Sequence, residues 1–199
     1  MRTLLLTPAH SADCLRQAAE VLLAGGVVVI PTDTVYGLAA HPAHPEAVRR
    51  LYTIKGREER KPIALLAADA ESVARYGAQL PPGAKRLATD FWPGALTLVL
   101  ACADGSAEGF RVPAHDWTRK LLAACGGVLR VTSANLSGAM PAASAVAALQ
   151  GVGLEADLVI DDGPSPGGVV STVVRMDSGT PKILRMGAIA ESEIRAMLA

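Results

Sequence analysis

The segment "KGREERK" contains four cations within seven residues, between an amphipathic stretch and an apolar stretch of the chain. Its charged members are Lys55, Arg57, Glu58, Glu59, Arg60 and Lys61. Lys55 is predicted to end a helix, and Lys61 directly precedes a strand-like run that starts with proline. Cations held at the ends of regular elements can neutralise a small polyanion such as a phosphate chain. The alternative is a solvated loop, which is how most charge runs are accommodated.

Four further segments combine small polar side chains with an adjoining apolar strand. They are "PTDTVYG", "FRVPAH", "VTSANLSG" and "VVSTVVRM". Binding residues in open α/β sheets usually lie at strand ends, where loops leave the core. Hydroxyl, amide and guanidinium groups gathered there would suit a nucleotide phosphate chain. Neither of the two common phosphate-binding loops, GxxxxGK[ST] and GxGxxG, occurs in this sequence.

Two of these segments also allow a more ordinary interpretation. In "PTDTVYG", Thr32, Asp33 and Thr34 could simply close a turn through hydrogen bonds to the backbone. In "VTSANLSG", Ser133 could be a nucleophile, but it does not lie in a GxSxG elbow. None of the four histidines has the sequence context of a catalytic triad. We therefore favour hydrogen-bonding roles for Ser133 and Asn135.

The sequence does not favour a metal centre built from protein ligands alone. His41 and His44 have the spacing of a ligand pair, but Pro42 and Pro45 make this segment loop-like. A zinc pair on one helix face would need a regular helix there. The acidic pair in "VIDDGPSPGG" is predicted to form a turn, and it would contact Mg²⁺ only if phosphate groups lay nearby.

The overall composition is that of a globular protein without a general affinity for nucleic acid. The chain has 199 residues, half of them hydrophobic, and its 19 Lys and Arg balance its 19 Asp and Glu. Dedicated nucleic-acid-binding proteins usually have a basic excess, so any tRNA contact is expected to be weak. No apolar run is long enough to span a membrane, and three dispersed cysteines favour a reducing compartment. We expect a soluble cytoplasmic protein.

Helix-like and strand-like patterns alternate along the chain. Helices are predicted in "ADCLRQAAEVLLA", with Ser11 as N-cap, and in "HPEAVRRLYTIK", "AESVARYG", "GAKRLATDF", "DWTRKLLAACGG", "ASAVAALQG" and "ESEIRAMLA". Strands are predicted in "VVVI", "PIALLAA", "ALTLVLAC", "GFRVPA", "GVLRVTS", "ADLVIDD", "GVVSTVVRM" and "PKILRM". This alternation predicts an α/β fold, with an open mixed sheet covered by helices, in a single domain over residues 1–199.

Seven short segments of this sequence occur in an order and spacing that are characteristic when taken together. They are "PTDTVYGL", "KGREERKP", "FWPGALTLVL", "RVPAH", "SANLSG", "STVV" and "ILRMG". Together they resemble the YrdC/Sua5 family, the threonylcarbamoyl-AMP synthases, and specifically its single-domain members. The resemblance implies a YrdC-like fold, in which a twisted, mixed α/β sheet surrounds a large concave cavity.

The resemblance also implies a reaction. Threonine and bicarbonate would form a carbamate, which attacks the α-phosphate of ATP and releases pyrophosphate. The product, threonylcarbamoyl-AMP, would pass to the machinery that transfers the threonylcarbamoyl group to tRNA. Adenylation of this kind needs no covalent enzyme nucleophile, because the carbamate is itself the nucleophile. It needs positioning and charge neutralisation, which the polar segments can supply.

Roles for individual residues follow from the same resemblance. Lys55 and Arg57 match the family's catalytic pair and would neutralise phosphate and carbamate oxygens. The positions matched to ATP binding are Arg57, Lys61, Arg111, Ser133, Asn135, Ser144 and Arg185. The positions matched to threonine binding are Thr32, Thr34 and Ser133. Mg²⁺ would enter with ATP, bound through phosphate and water.

This sequence departs from the family pattern at two places, and two other functions stay open. Met186 stands in "LRMG" where the family usually has proline, and "SGAMPAAS" is unusually rich in alanine. One alternative is carbamoyl-adenylate formation, as in a hydrogenase maturation protein that contains a YrdC-like domain. The other is a non-catalytic module that binds tRNA or double-stranded RNA in a positive concavity.

We expect Ser133→Ala to weaken ATP binding while leaving measurable turnover. A lost hydrogen bond to a charged ligand costs roughly 1.5–3 kcal/mol, whereas loss of a nucleophile would be far more severe. ATP affinity by calorimetry and turnover of the same variant distinguish the two roles. Complete inactivation with unchanged ATP affinity, or a covalent adduct on Ser133 in mass spectra, would establish a nucleophile instead.

Overall fold

A computed structural model describes residues 2–177 and 181–198. These residues form one mixed sheet of ten strands, with helices packed against it. The strands are β1 (Arg2–Leu5), β2 (Val27–Ile30), β3 (Gly37–Ala40), β4 (Leu65–Ala67), β5 (Leu96–Ala101), β6 (Ala107–Arg111), β7 (Val128–Ser133), β8 (Leu158–Asp161), β9 (Thr172–Arg175) and β10 (Lys182–Arg185). Their order across the sheet is β1-β8-β2-β3-β7-β4-β6-β5-β9-β10. The pairs β1/β8, β8/β2, β4/β6 and β5/β9 are parallel, and the others are antiparallel.

Seven α-helices within the described residues pack against this sheet. They are α1 (Ser11–Leu23), α2 (Pro45–Lys55), α3 (Ala70–Arg75), α4 (Pro82–Phe91), α5 (Asp116–Ala124), α6 (Ala145–Gly151) and α7 (Glu191–Leu198). Helix α2 begins with a proline, whose fixed φ suits the first helical turn. It stops at Gly56, which has the left-handed φ of 57° that side-chain-bearing residues rarely adopt. This stop fixes Lys55 as the last helical residue.

Three strands in one half of the sheet, β8, β2 and β3, are covered on both faces. In β2, Val28 and Ile30 pack with α1 and α5, while Val27 and Val29 pack with α2 and α6. All four side chains are fully buried. A continuously apolar strand is the sequence signature of burial on both faces, which explains the run "VVVI".

The other half of the sheet is covered by helices on one face and faces a cavity on the other. In β5, Leu96, Leu98 and Leu100 pack into an apolar core with α3, α4 and α7. The intervening residues Thr97 and Val99 line the cavity. Successive strand residues point to opposite faces. The alternation in "LTLVLA" therefore separates a core face from a binding face.

The predicted α/β fold with a mixed, helix-covered sheet is confirmed, and nearly all of the predicted elements are present. Strands β1 and β3 were absent from the sequence prediction. β3 is the four-residue segment "GLAA", which contains glycine and alanine rather than β-branched residues. Its extended conformation comes from pairing with β2 and β7 on either side, a tertiary effect that overrides weak local propensity. The N-cap of α1 is His10, and Ser11 is the first helical residue.

The described helices were also compared with the length and hydropathy needed for a membrane span. None of them is long and apolar enough to cross a membrane.

We expect Thr172→Val to lower the free energy of unfolding by about 2–4 kcal/mol, since each buried polar group left unsatisfied costs roughly 1–3 kcal/mol. The fully buried Thr172 hydroxyl donates to Ile189 O at 2.7 Å. It also accepts from Gly187 N at 3.0 Å and Ile189 N at 3.1 Å. Valine has a similar shape but leaves these three backbone groups without their partner. Equilibrium urea denaturation measures the change.

Thr89→Val is the matched control for this substitution. The Thr89 hydroxyl donates to Lys85 O in α4 and lies at an exposed position, where water can replace the lost group. Its effect should stay within about 0.5 kcal/mol, as for most surface substitutions. Equal losses of stability in the two variants would show that the Thr172 hydroxyl does not hold the segment after β10.

Candidate active site

The cavity on the uncovered face of the sheet has a volume of about 340 Å³, and the charged residues among its described lining are all arginines. Four arginines line it, Arg57, Arg111, Arg175 and Arg185, and its lining contains no aspartate or glutamate. The other polar residues of the lining all carry a hydroxyl group: Thr32, Thr34, Tyr36, Thr97, Thr132, Ser133 and Ser171. Two of the four arginines have carboxylate partners beside the cavity, since Arg111 pairs with Asp33 and Arg175 with Asp177.

The turn after β2 combines a structural threonine with a cavity-facing one. Thr32 Oγ1 donates to Val35 O at 2.6 Å and accepts from the backbone N–H groups of Thr34 and Val35, both at 3.2 Å. Thr32 therefore closes the turn, as the more ordinary interpretation proposed, and also lines the cavity. Thr34 Oγ1 lies 3.1 Å from Thr32 Oγ1 and accepts a hydrogen bond from Arg111.

Arg111 is fixed at the end of β6 by three protein partners. Its guanidinium donates to Gly94 O at 2.9 Å, Thr34 Oγ1 at 2.7 Å and Asp33 Oδ1 at 2.5 Å. Burial lowers the pKa of Arg111, and the neighbouring Asp33 carboxylate opposes this effect. An arginine with these contacts stays charged and rigid. It joins the Thr32–Thr34 turn to the cavity wall.

Arg57 and Arg185 are held by oxygens that carry no net charge. Arg57 donates to Lys61 O at 2.8 Å and Pro62 O at 3.1 Å. Arg185 donates to Ser171 O at 2.8 Å and to Ser171 Oγ at 3.1 Å. Burial lowers the pKa of Arg185, and the positive charges of Arg111 and Arg57 lower it further, so the three guanidiniums act on one another. No described carboxylate forms an ion pair with Arg57 or Arg185, which leaves their charge available to an anionic ligand.

Lys55 lies beneath the loop that follows β7 and is not among the residues lining the cavity. Its side chain is buried, and its ammonium donates to Ser133 O and Asn135 O, both at 2.5 Å. Burial, and secondarily the charge of Arg57, lowers the pKa of Lys55 from 10.5 to about 8. The lysine thereby fixes the backbone of the "SAN" segment, whose Ser133 side chain faces the cavity.

Asn135 uses its amide group to shape the same loop. Its Nδ2 donates to Leu136 O and to Ala139 O, each at 2.8 Å. Its Oδ1 is buried and has no hydrogen-bond partner among the described residues. Buried acceptors are normally satisfied, so this oxygen is available to accept one further hydrogen bond.

Three of the predicted ATP-binding residues, Lys61, Asn135 and Ser144, do not line the cavity. Lys61 Nζ contacts Glu58 Oε1 at 3.0 Å on the exposed side of the loop, where Glu58 also pairs with Arg60. The charged segment is thus divided between a buried lysine, a cavity-lining arginine and two exposed cations. Ser144 is the N-cap of α6, and its Oγ accepts from Ala147 N at 3.2 Å. N-capping accounts for its position at the start of this helix.

The potential metal ligands of the sequence contact other protein groups. His41 Nε2 lies 3.0 Å from Cys125 O, and His44 Nε2 lies 2.8 Å from Leu23 O. Asp161 accepts from Gly163 N and so closes the turn that was predicted there. Across the part of the chain that the structure describes, no three His, Cys, Asp or Glu side chains are grouped as a metal site.

Sequence analysis did not assign Thr97, Ser171 and Arg175 to the site. Thr97 Oγ1 and Ser171 Oγ are 2.8 Å apart, and both residues are buried at the cavity wall. Arg175 is the last residue of β9 and lies 3.3 Å from the carboxylate of Asp177. The alternation of β5 and β9 was a usable signal, because it assigns Thr97 and Arg175 to the face opposite the core leucines and Val174.

The arrangement can bind a polyanion and neutralise negative charge that develops on it. The lining contains no histidine, cysteine or carboxylate, which are the usual general acids, general bases and thiol nucleophiles. Fixed guanidinium groups at the developing charge are a strong source of transition-state stabilisation. The geometry therefore favours a reaction in which the substrates provide the nucleophile.

We expect the free energy of unfolding to rise between pH 8 and pH 10 relative to a Lys55→Met variant. Below pH 8 the Lys55 amine is protonated in both states. With a folded pKa of about 8 and an ordinary pKa of 10.5, the unfolded state binds more of the proton than the folded state in this window. Stability then increases with pH, by up to ~1.4 kcal/mol per unit. Denaturant titrations at pH 7, 8, 9 and 10 test this difference.

The comparison between the two proteins removes contributions from other buried groups. Burial raises the pKa of Cys125 to about 11 and that of Tyr36 to about 12, and both residues are present in wild type and variant. Parallel stability profiles for the two proteins would contradict a lowered pKa for Lys55.

A family model covers most of the chain. The model for the Sua5, YciO and YrdC proteins, described as "Telomere recombination", matches residues 20–187. This range includes every candidate site residue named above, from Thr32 to Arg185.

Individual relatives agree with this match. A Mycobacterium tuberculosis protein is 35% identical over 200 residues, covering 96% of this chain and 92% of the relative. The threonylcarbamoyl-AMP synthase of Bos taurus is 36% identical over 197 residues, covering 90% of this chain and 70% of that protein. The crystal structure of Pyrococcus abyssi Sua5 complexed with L-threonine superposes with a TM-score of 0.91 at 30% identity. That match covers 100% of this chain and 61% of the Sua5 chain. The chain belongs to the Sua5/YciO/YrdC family.

Proposed function

We propose that this protein is an L-threonylcarbamoyladenylate synthase, which condenses L-threonine, bicarbonate and ATP to threonylcarbamoyl-AMP and pyrophosphate. The observation that supports this most strongly is the cavity lined by four arginines, several hydroxyls and no carboxylate. Such a lining suits a polyanionic substrate next to a small hydroxyl-bearing one. Two relatives named threonylcarbamoyl-AMP synthases are 33% and 36% identical to this chain, over 92% and 90% of its length.

The proposed chemistry divides into two steps. The amine of threonine adds to bicarbonate, and loss of water gives an N-carboxylate, the carbamate. A carbamate oxygen then attacks the α-phosphorus of ATP. The new phosphorus–oxygen bond forms as the bond to the bridging oxygen breaks, and pyrophosphate leaves with that electron pair. Negative charge builds up on the phosphoryl oxygens, where fixed cations are most effective.

Arg57 and Arg185 are the groups best suited to the charged oxygens, since neither is paired with a described carboxylate. In this proposal Arg57 neutralises the carbamate and the α-phosphate, and Arg185 contacts the nucleotide. Lys55 supports the reaction from below by holding the carbonyls of Ser133 and Asn135. Arg111 adds positive charge and orients Thr34. Lys61 would have to break its ion pair with Glu58 to contact the triphosphate. The hydroxyl of Ser144 would have to contact ATP while it also accepts the hydrogen bond that caps α6.

The threonine site is proposed at the hydroxyl-rich turn. Thr34 is buried and rigid, and Ser133 faces the same cavity. Thr32 would contribute through its hydroxyl, which already closes the turn. A buried polar group that pairs with the substrate hydroxyl discriminates strongly against a substrate that lacks it.

Mg²⁺ belongs to this proposal as the companion of ATP, bound through phosphate and water, and a cavity without carboxylates fits that role. When bound, it would neutralise part of the triphosphate charge. The product would then pass to a tRNA threonylcarbamoyl-transferring system, with at most a weak contact between this chain and tRNA. We place these steps in the cytoplasm.

We expect pyrophosphate release from ATP to require both threonine and bicarbonate. Serine lacks only a methyl group, which is worth about 1–3 kcal/mol in a fitted pocket, so it should react about 10- to 200-fold less efficiently. Valine should fail more completely, because it leaves a buried polar partner unsatisfied. The assay compares the three amino acids with and without bicarbonate and identifies the adenylate by mass spectrometry.

Other outcomes of this assay point to other functions. Release that ignores threonine and bicarbonate, or that appears only with carbamoyl phosphate, would contradict the proposal and favour carbamoyl transfer. No release, combined with tight and salt-sensitive RNA binding, would favour a nucleic-acid-binding module.

A further inference from the structure

Three consecutive backbone carbonyls lie between the charged segment and β4, and two arginines bind them. The carbonyls of Lys61 and Pro62 accept hydrogen bonds from Arg57, at 2.8 and 3.1 Å. The next carbonyl, that of Ile63, accepts from Arg130 Nη1 at 2.8 Å. The orientation of the Arg57 guanidinium therefore depends on where this short loop segment lies.

Arg130 is itself fixed by a two-point ion pair across the sheet. Its Nη1 donates to Glu108 Oε2 at 2.6 Å, and its Nη2 donates to Glu108 Oε1 at 2.5 Å. Both side chains are 17% exposed, so water competes only weakly for these bonds. Bidentate arginine–carboxylate pairs constrain direction as well as distance. Glu108 is on β6, Arg130 is on β7, and β4 lies between these strands, so the pair bridges across the strand that the loop enters.

We propose that Glu108 and Arg130 are positioning residues that set the direction of the Arg57 guanidinium through the carbonyls of residues 61–63. Neither residue lines the cavity, so any effect on a ligand must pass through the loop. The segment is also held by the buried side chain of Ile63, which packs in the apolar core with α2, and by the hydrogen bond from Val131 N to Ala64 O at 2.9 Å. This inference rests on the proposed function only for the identity of the ligand.

In this arrangement the Glu108–Arg130 pair affects the reaction rate as well as the stability of the fold. Removing Glu108 frees Arg130 to change rotamer, which releases Ile63 O and allows the segment carrying Lys61 O and Pro62 O to move. Arg57 would keep its charge but lose its direction. Displacements of this kind, of about 1 Å, can cost on the order of a hundredfold in rate without contacting substrate.

A double-mutant cycle between Glu108→Gln and Arg57→Lys tests the proposal. The glutamine keeps the shape of Glu108 and removes its charge, while the lysine keeps the charge of Arg57 and removes its fork of donors. Glu108→Gln should lower kcat/KM about tenfold in the wild-type background and less than about twofold in the Arg57→Lys background, because coupled residues are not additive. If Glu108→Gln is poorly folded, Arg130→Lys takes its place in the cycle and should give the same loss of kcat/KM.

Binding of inorganic pyrophosphate, measured by calorimetry on the same four proteins, gives the cycle a second readout. If wild-type protein shows no turnover but the pyrophosphate cycle is non-additive, the proposed function fails and this inference stands. If turnover is normal and both cycles are additive, the positioning role fails and the proposed function stands.

Asp157→Asn is the matched control, because it removes charge from another ion pair. Asp157 pairs with Arg50 at 2.8 Å, and neither residue lines the cavity. We expect this variant to lower the melting temperature while leaving kcat/KM and pyrophosphate affinity unchanged in both backgrounds. A loss of kcat/KM equal to that of Glu108→Gln would show that a general loss of stability, rather than positioning, explains the effect.

Discussion

Gathering several positive charges around one cavity is unfavourable unless each cation is held by something that does not cancel its charge. The protein meets this constraint largely with backbone carbonyls. Arg57, Arg111, Arg185 and Lys55 each donate to one or more carbonyl oxygens at a loop or strand end. A carbonyl dipole orients and partly stabilises a cation but leaves its net charge in place. The carbonyls thus give direction, and the remaining charge is available to an anion.

Arg111 is the exception within this group, because it also pairs with the carboxylate of Asp33. It is the most deeply buried of the cavity arginines, and an unpaired charge at that depth would be costly. The pair also joins β6 to the turn after β2, so one interaction satisfies the buried charge and fixes the position of Thr34. Arg57 and Arg185, which are less buried, do without a carboxylate and can interact more freely with a ligand.

The cavity depends on an uneven distribution of helices over a continuous sheet. Strands β2, β3 and β8 have apolar side chains packed in the core on both faces, whereas the end of β7 reaches the cavity. Strands β5, β6 and β9 expose every second residue to the cavity, and the residues on that face are Thr97, Val99, Ala107, Gly109, Arg111, Val173 and Arg175. Polar side chains can therefore face the ligand without entering the core.

The sequence by itself determined the class of the fold and the chemical character of the site. Apolar runs such as "VVVI", the alternation of "LTLVLA", and the glycine and proline boundaries of α2 are local signals, and the structure follows them. The seven segments also identified the family, which the comparisons established. Only the tertiary structure decided which of the four clustered cations faces the cavity. Lys55, Arg57 and Lys61 are at most six residues apart, but helix geometry buries the first, the loop directs the second inward, and Glu58 holds the third at the surface. The sequence also could not predict three other features: strand β3, the Asp33–Arg111 pair and the link from Glu108 to Arg57. Each depends on contacts between segments that no local sequence pattern indicates.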